Sequence, residues 1–347
     1  MDTALLGTSV PLPQLGRELK KLWESAAGEK SRASLVNFAV YCEGEAAMAA
    51  NTELIANFTR EYSCRAILMM RDRAAKTPQV EAWVNAHCHL PRAGAKAVCC
   101  EQITFRIQGA SNQLLSNVLF ANLDSDLPLY LWWQGEFMEP IDDFLWTWVD
   151  RLIFDSRDWQ DPTAQFALLG QACQSAKARV ILCDLNWTRT LHLRQALAQM
   201  FDRPDTQAQL SKVQSLKLTH APGHVTTAKL FAAWVAAQLG WTLGERQGNG
   251  VTFHAPGGAA IQCRFAEAPG ASVSGVELVG EKLQVRLRRE GVSPFYHAEL
   301  ALPDGSTVSH LLPAGQESMQ SLLDEELTLG GRHKVYLKAL STAKALL

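Results

Sequence analysis

The sequence has almost no net charge: over 347 residues, 33 basic side chains against 35 acidic ones leave −2 at neutral pH. A nucleic-acid groove or an anionic membrane surface calls for a basic excess, so neither is an expected partner. No stretch reaches the roughly 18 consecutive apolar residues of a membrane-spanning helix. The opening MDTALLGTSVPLPQLG carries Asp2 where a secretory signal would be positive, and Gly7, Pro11 and Pro13 break its apolar run. A cytoplasmic protein is expected.

Several chemical signatures are also missing. There is no G-x-G-x-x-G, no G-x-x-x-x-G-K-[ST] and no G-x-S-x-G; GASVSG (270–275) comes near the last but reads as a β-turn. Gly44 stands between Glu43 and Glu45, two carboxylates that would repel a phosphate. No catalytic constellation and no cofactor are therefore expected. The eight cysteines include no C-x-x-C pair and read as buried thiols, not as a disulfide framework. His87, Cys88, His89, Cys99 and Cys100 lie within fourteen residues, yet on a strand Cys99 and Cys100 face opposite sides and cannot share an ion, so no metal is expected. Cys173 and Cys183 lie on a predicted helix and the next strand, where packing is the expected role of Cys173. The carboxylate pairs Asp124/Asp126, Asp142/Asp143 and Glu325/Glu326 fall in turns or at helix ends, where acidic side chains cap backbone amides.

What is present is 47% hydrophobic residues and a regular alternation of strand-like and helical segments. Strand patterns at 33–42, 65–70, 95–109, 128–135, 151–156, 178–185 and 213–221 alternate with helical ones at 49–62, 111–123, 141–149, 162–176, 188–201 and 225–239. This predicts an α/β, Rossmann-like domain over 31–240, with a mainly parallel sheet and helices on both faces, after a helical N-terminal extension over 1–30. Beyond Trp241 the runs are short, alternate polar with apolar, and are separated by Gly, Pro and Asp. They predict a smaller β-rich (α+β) domain over 241–347, its antiparallel sheet wet on one face, with helices near 316–326 and 334–347.

Half of the ten tryptophans fall between Trp132 and Trp159. In a strand, Trp132 and Trp133 point to opposite faces, so one is free to serve as an aromatic anchor for a partner. The words LPLYLWWQGEF (127–137), VDRLIFDSRDW (149–159) and DLNWTRTLHLRQALAQMFD (184–202), preceded by SRASLVNFAVY, CRAILMM and CCEQITFRIQG, occur in an order that resembles the OpcA family of glucose-6-phosphate dehydrogenase assembly proteins.

The resemblance implies a non-catalytic protein that binds glucose-6-phosphate dehydrogenase, promotes its assembly into active oligomers and raises its activity. Carried over motif by motif, it marks Trp132, Trp133 and Gly135; then Asp150, Arg151, Asp155, Ser156 and Arg157; then Asp184, Asn186 and Trp187 as a partner-binding patch along the sheet's carboxyl edge. Activation in the cyanobacterial branch is linked to thioredoxin acting on cysteines, which extends the implied partners to thioredoxin without assigning any cysteine of this chain. The rival expectation is a sugar-phosphate sensor or enzyme using the same edge, with Arg151, Arg157 and Arg189 as anion ligands.

Overall fold

The computed structural model describes the chain apart from residues 1–5, 25–29, 91–96, 110–111, 138–141, 176–179, 303 and 332. Parts of the expected N-terminal extension (1–5, 25–29) and the ends of several expected elements (95–96, 111, 141, 176, 178–179) lie outside the described residues. The chain divides into two compact units of nearly equal length, 1–154 with 164–182, and 155–163 with 183–347.

The first unit runs β1 (Thr8–Val10), α1 (Leu15–Glu24), β2 (Lys30–Arg32), β3 (Val36–Glu43), α2 (Glu45–Phe58), β4 (Cys64–Asp72), β5 (Gln79–His89), β6 (Ala97–Gln108), α3 (Asn112–Phe120), β7 (Leu129–Trp133), α4 (Asp143–Trp148), β8 (Arg151–Phe154), α5 (Pro162–Ser175) and β9 (Ile181–Asp184). Its nine-stranded sheet has the order β1-β5-β6-β4-β3-β7-β8-β9, with β2 beside β6. Numbering the six strands β3, β4, β6, β7, β8 and β9 in chain order gives 3-2-1-4-5-6, the doubly wound order of the Rossmann class. The β3/β4, β4/β6, β3/β7 and β7/β8 pairs are parallel, as βα alternation demands, whereas β5 and β1 add an antiparallel margin. β3, β4 and β6 are buried almost throughout, as strands covered on both faces are.

The margin brings a correction. On β5 and β6, Cys88 and Cys99 are directly opposite and form a disulfide, with Cα atoms 4.1 Å apart. The cysteines are thus not all free thiols, and the expected histidine–cysteine group is dispersed: His87 bonds Gln102 at 2.7 Å and Cys100 is a buried free thiol.

The second unit adds α6 (Leu185–Thr188), α7 (Leu191–Gln199), α8 (Pro204–Gln207), β10 (Val213–His220), α9 (Val225–Leu239), β11 (Thr242–Gln247), β12 (Gly250–His254), β13 (Ala260–Glu267), β14 (Val273–Gly280), β15 (Gln284–Arg288), β16 (Phe295–Ala301), β17 (Thr307–Pro313), α10 (Met319–Leu329) and α11 (Lys334–Leu346). Its eight strands lie in the order β11-β12-β13-β10-β14-β15-β16-β17. Here the expected boundary at 240 is wrong. β10 sits inside this second sheet, parallel to β13 and antiparallel to β14, so β10 and α9 belong to the second unit, which is not the smaller one. A strand followed by a helix obeys the same crossover rule in either sheet, so local pattern does not say which sheet a βα pair joins.

Alternation then does the rest. Leu216 and Leu218, Val276 and Leu278, Val285 and Leu287, Ala298 and Leu300 are buried, while the residues between them are exposed or half-buried. Against the buried face lies α9, whose Leu230, Phe231 and Ala233 are inaccessible, and α11 packs on α9. Among the described residues no helix is long and apolar enough to cross a membrane.

Candidate functional site

In a sheet of this order a dinucleotide sits at the carboxyl ends of the two strands where the order reverses, here β3 and β7. Glu43 ends β3 and accepts a hydrogen bond from the Tyr41 hydroxyl (2.6 Å) while pairing with Arg73 (2.6 Å); Glu45 pairs with Arg106 (2.7 Å). Burial, reinforced by the Glu43 carboxylate, holds the Tyr41 phenol well above its ordinary range. Asn51 of α2 and Gln134, just past β7, close on each other through reciprocal amide hydrogen bonds of 2.9 and 2.7 Å. Carboxylates and a self-satisfied amide pair thus stand where a pyrophosphate would require open backbone amides.

Beneath this crevice lies the tryptophan pair. Trp132 and Trp133 are only 2% and 3% exposed. Trp133 stacks on Tyr41 with 3.9 Å between centroids, meets Phe137 and Trp146, and donates its indole N–H to the Glu136 carbonyl (3.1 Å). Both indoles fill the core instead of projecting as an anchor. Gly135 takes a φ of 83°, the left-handed turn by which the chain leaves the strand. The exposed aromatics lie elsewhere: Phe144 (60%) and Trp148 (54%) on α4 form one cluster with Phe120 of α3, at centroid distances of 5.0 and 5.8 Å from it. Their i, i+4 spacing is readable in the sequence as one shared helix face, and the structure, with Leu145 and Trp146 buried between, turns that face outward.

Asp150 and Arg151 open β8 and so lie at the opposite strand end from Asp155 and Ser156. The Asp150 carboxylate accepts from Leu129 N–H (2.8 Å), and the Arg151 guanidinium lies 5.5 Å from the Tyr130 ring centroid. This removes the two from a single carboxyl-edge patch.

The second unit does gather Asp155, Ser156, Arg157, Asp184 and Asn186. Fully buried Asp184 is the last residue of β9 and caps α6. It accepts from four donors: Ser156 N–H (3.1 Å), Asn186 N–H (3.0 Å), the Ser156 hydroxyl (2.8 Å) and the Tyr336 hydroxyl (3.0 Å). Upstream, Thr227 donates to Asn186 Oδ1 (2.5 Å) and Asn186 Nδ2 donates to Ser156 Oγ (3.0 Å), so the chain of donors runs toward the carboxylate. Burial and the neighbouring Asp155 carboxylate push Asp184 up to about 7, against these donors. Asp155 is held by Arg189 through two parallel hydrogen bonds, and Arg157 turns aside to Asp158 (2.7 Å). The expected anion ligands Arg157 and Arg189 are thereby already neutralised.

Trp187 packs beside this network, 5.4 Å from Tyr336, with the Arg194 guanidinium 3.5 Å from its ring centroid. Burial pushes the Arg194 guanidinium down to about 9, against the Glu326 and Glu325 carboxylates, and it donates to the Trp187 carbonyl (2.6 Å) and Thr190 Oγ1 (2.5 Å). Among the described residues, Cys183, Glu326 and His333 bring a thiol, a carboxylate and an imidazole within 4.8 Å of one another. Glu326 already accepts from Thr188 (2.7 Å) and bonds His333 (2.6 Å); burial would raise its carboxyl, but these partners outweigh it and hold it below the ordinary range.

Two family models cover most of the chain. Residues 56–171 match the glucose-6-phosphate dehydrogenase subunit N-terminal domain, and residues 181–340 match the C-terminal domain of the same subunit. The chain belongs to the OpcA family of glucose-6-phosphate dehydrogenase assembly proteins. A curated relative of Synechocystis sp. (strain ATCC 27184 / PCC 6803 / Kazusa), named provisionally as OxPP cycle protein OpcA, is 24% identical over 234 residues, 65% of this chain and 48% of that protein. The chain therefore spans about half the length of the curated OpcA relative. Solved structures with a similar course include biliverdin reductase of Synechocystis sp. PCC 6803 in complex with biliverdin and NADP+ (12% identity, 90% of this chain and 98% of that one, TM-score 0.48). Another is the aldose-aldose oxidoreductase of Caulobacter crescentus complexed with glycerol (12%, 90% and 95%, TM-score 0.46). At such scores neither bears on this chain's chemistry.

Proposed function

We propose that this protein is a non-catalytic cytoplasmic partner of glucose-6-phosphate dehydrogenase, which it binds, helps to assemble into active oligomers and activates. The observation that carries this reading is the pair of OpcA-family matches, which together reach from residue 56 to residue 340. The crevice supports it from chemistry: Glu43, Glu45 and the Asn51–Gln134 pair occupy the place that a redox cofactor would need.

The contact we assign to the enzyme is the aromatic cluster of Phe120, Phe144 and Trp148, supported by the exposure of Phe144 and Trp148. It takes the anchoring role first expected of Trp132 and Trp133. Asp155, Ser156, Arg157, Asp184, Asn186 and Trp187 then act by holding the fold of the second unit, since all but Arg157 are buried. Activation requires that the active form of the enzyme be bound more tightly than the inactive one; a tenfold shift takes about 1.4 kcal/mol of preference. Thioredoxin enters this proposal as the reductant of Cys88–Cys99, whose Cys88 side is exposed.

Calorimetric titration of the enzyme from the same organism tests the contact. Saturable binding that Trp148→Ala weakens is expected. Absence of binding under both reducing and oxidising conditions would overturn the reading.

A further inference from the structure

The second sheet has one face covered by helices and one open. Across six adjacent strands the open face carries a single row in register: Arg264 on β13 is beside Lys217 on β10, then Glu277 on β14, Arg286 on β15, Glu299 on β16 and Ser309 on β17. Arg264, Lys217, Glu299 and Ser309 are exposed, Glu277 and Arg286 half-buried. Among the described residues, Glu277 and Arg286 are the members of this row that form an ion pair, at 2.9 Å. The neighbouring row runs Ala266, Thr219, Gly275, Arg288, His297, Leu311 in the same strand order, and Leu311 is left 60% exposed at its end.

The signs of the charged row are +, +, −, +, −, followed by neutral serine. Folded about its midpoint, this sequence is complementary to itself. We propose that the open face is the interface between two copies of this chain, stacked face to face about a two-fold axis that runs parallel to the strands between β14 and β15. Such an axis keeps each row on its own row and reverses it. Glu277 then meets the partner's Arg286, Lys217 meets the partner's Glu299, and Arg264 meets the partner's Ser309. In the next row, exposed Leu311 is brought onto the partner's Ala266, and no two cations are opposed.

Other placements of the axis lose the Lys217–Glu299 contact: one between β15 and β16 keeps Arg286 on the partner's Glu299 but leaves Lys217 and Arg264 beyond the partner's edge strand. Between β10 and β14 it would set Arg264 on the partner's Arg286. On β14, Glu277 would face its own copy, and along the row every charge would do so. The complementary axis is also the midline of the row, engaging all six of its strands, β13, β10, β14, β15, β16 and β17. With about 4.8 Å between strands and about 3.3 Å per residue, six strands of six residues present about 29 by 20 Å. Two such faces bury roughly 1,150 Å² before side-chain relief is counted, within reach of the roughly 1,200 Å² at which stable interfaces begin.

The critical contact is Lys217 with the partner's Glu299. Within one chain these residues are three strands apart, about 14 Å, so neither reversal removes a partner of the Glu277–Arg286 ion pair, although Lys217→Glu stands opposite Glu277 and Glu299→Lys opposite Arg286. Lys217→Glu alone sets carboxylate on carboxylate twice per dimer, and Glu299→Lys alone sets ammonium on ammonium twice. In an equimolar mixture, one copy of each restores both attractions.

Sedimentation equilibrium on the full chain without any dehydrogenase, followed by native mass spectrometry of the mixture, tests this. The wild type is expected at the mass of two chains. Each single variant should weaken self-association on the order of 100-fold or more while keeping the wild-type circular-dichroism spectrum and a cooperative unfolding transition. The mixture should regain the dimer as the hetero-pair. A monomeric wild type, variants that dimerise like the wild type, or a mixture that stays monomeric would each overturn the proposal. So would protection of this face from hydrogen exchange only when the dehydrogenase is present, which would assign it to a different occupant. Because none of these readouts involves enzyme activation, failure here leaves the function proposed above intact.

Discussion

Tyr336 donates its hydroxyl to Asp184 at 3.0 Å, closing a bond between the C-terminal helix and the first residues of the second unit's main segment. The carboxylate it reaches is fully buried and shifted upward to about 7, from an ordinary 3.8. Between those values the folded state binds more protons than the unfolded chain, so this group makes stability fall as pH rises. The loss for this group is at most about 1.4 kcal/mol per pH unit and ends above about pH 7. Asp184→Asn does not titrate. Subtracting its unfolding free energies from those of the wild type between pH 4 and 8 should leave that downward slope; parallel curves would show that Asp184 titrates normally.

Arg189 and Asp155 form a buried ion pair, with side chains 2% and 6% exposed. Burial works against the Arg189 cation, and the Asp155 carboxylate more than compensates, so its guanidinium is held above its ordinary range. Arg189→Met would strand a carboxylate beside Asp184, and should cost about 3–5 kcal/mol in urea unfolding. Replacing both, as Asp155→Asn with Arg189→Met, should recover part of the loss. A single variant that unfolds like the wild type would show the pair to be dispensable.

Trp133 and Trp148 should separate stability from binding. Trp133 is packed among Tyr41, Phe137 and Trp146, so Trp133→Ala should cost about 3–5 kcal/mol of stability. Trp148→Ala removes an indole from the surface and should leave stability within about 0.5 kcal/mol. The same change should weaken enzyme binding by about 2 kcal/mol, or about 30-fold. The reverse pattern would return the anchoring role to the strand.

The Cys88–Cys99 bond joins residues eleven apart. Closing so short a loop is worth roughly 3 kcal/mol at most in the chain-entropy picture. Reduction should therefore lower the unfolding free energy by up to that amount and open the exposed Cys88 thiol to alkylation in the folded protein, Cys99 staying buried. Cys88→Ser should match the reduced wild type and no longer respond to reductant; a continued response would point to another pair.

Much of this architecture was legible because alternation of strand and helix is a local property. β3, β4, β6 and β7 fall where their apolar runs place them. β5 lies outside the expected strands, although Val80, Ala82 and Val84 recur with period two, because its second half, ending in His–Cys–His, carries no apolar run. β10 was recognised as a strand but assigned to the wrong sheet, since its partners Gln262 and Leu278 lie far along the chain. The same limit applies to the site. Asp155, Ser156, Asp184 and Asn186 stand out as polar residues at strand ends, whereas Thr227 and Tyr336, which complete their network, are 41 and 152 residues from their partners. Exposure was illegible for the tryptophans: Trp133 is buried because Tyr41 lies flat on it, and Trp148 is exposed because α4 turns that stripe outward.

The central claim is tested most directly by NADPH formation. The glucose-6-phosphate dehydrogenase of the same organism would be assayed across a range of glucose 6-phosphate, with and without equimolar protein, under reducing and oxidising conditions. A lower apparent KM or a higher kcat in its presence is the result expected. Identical progress curves with and without it under both conditions would contradict the account.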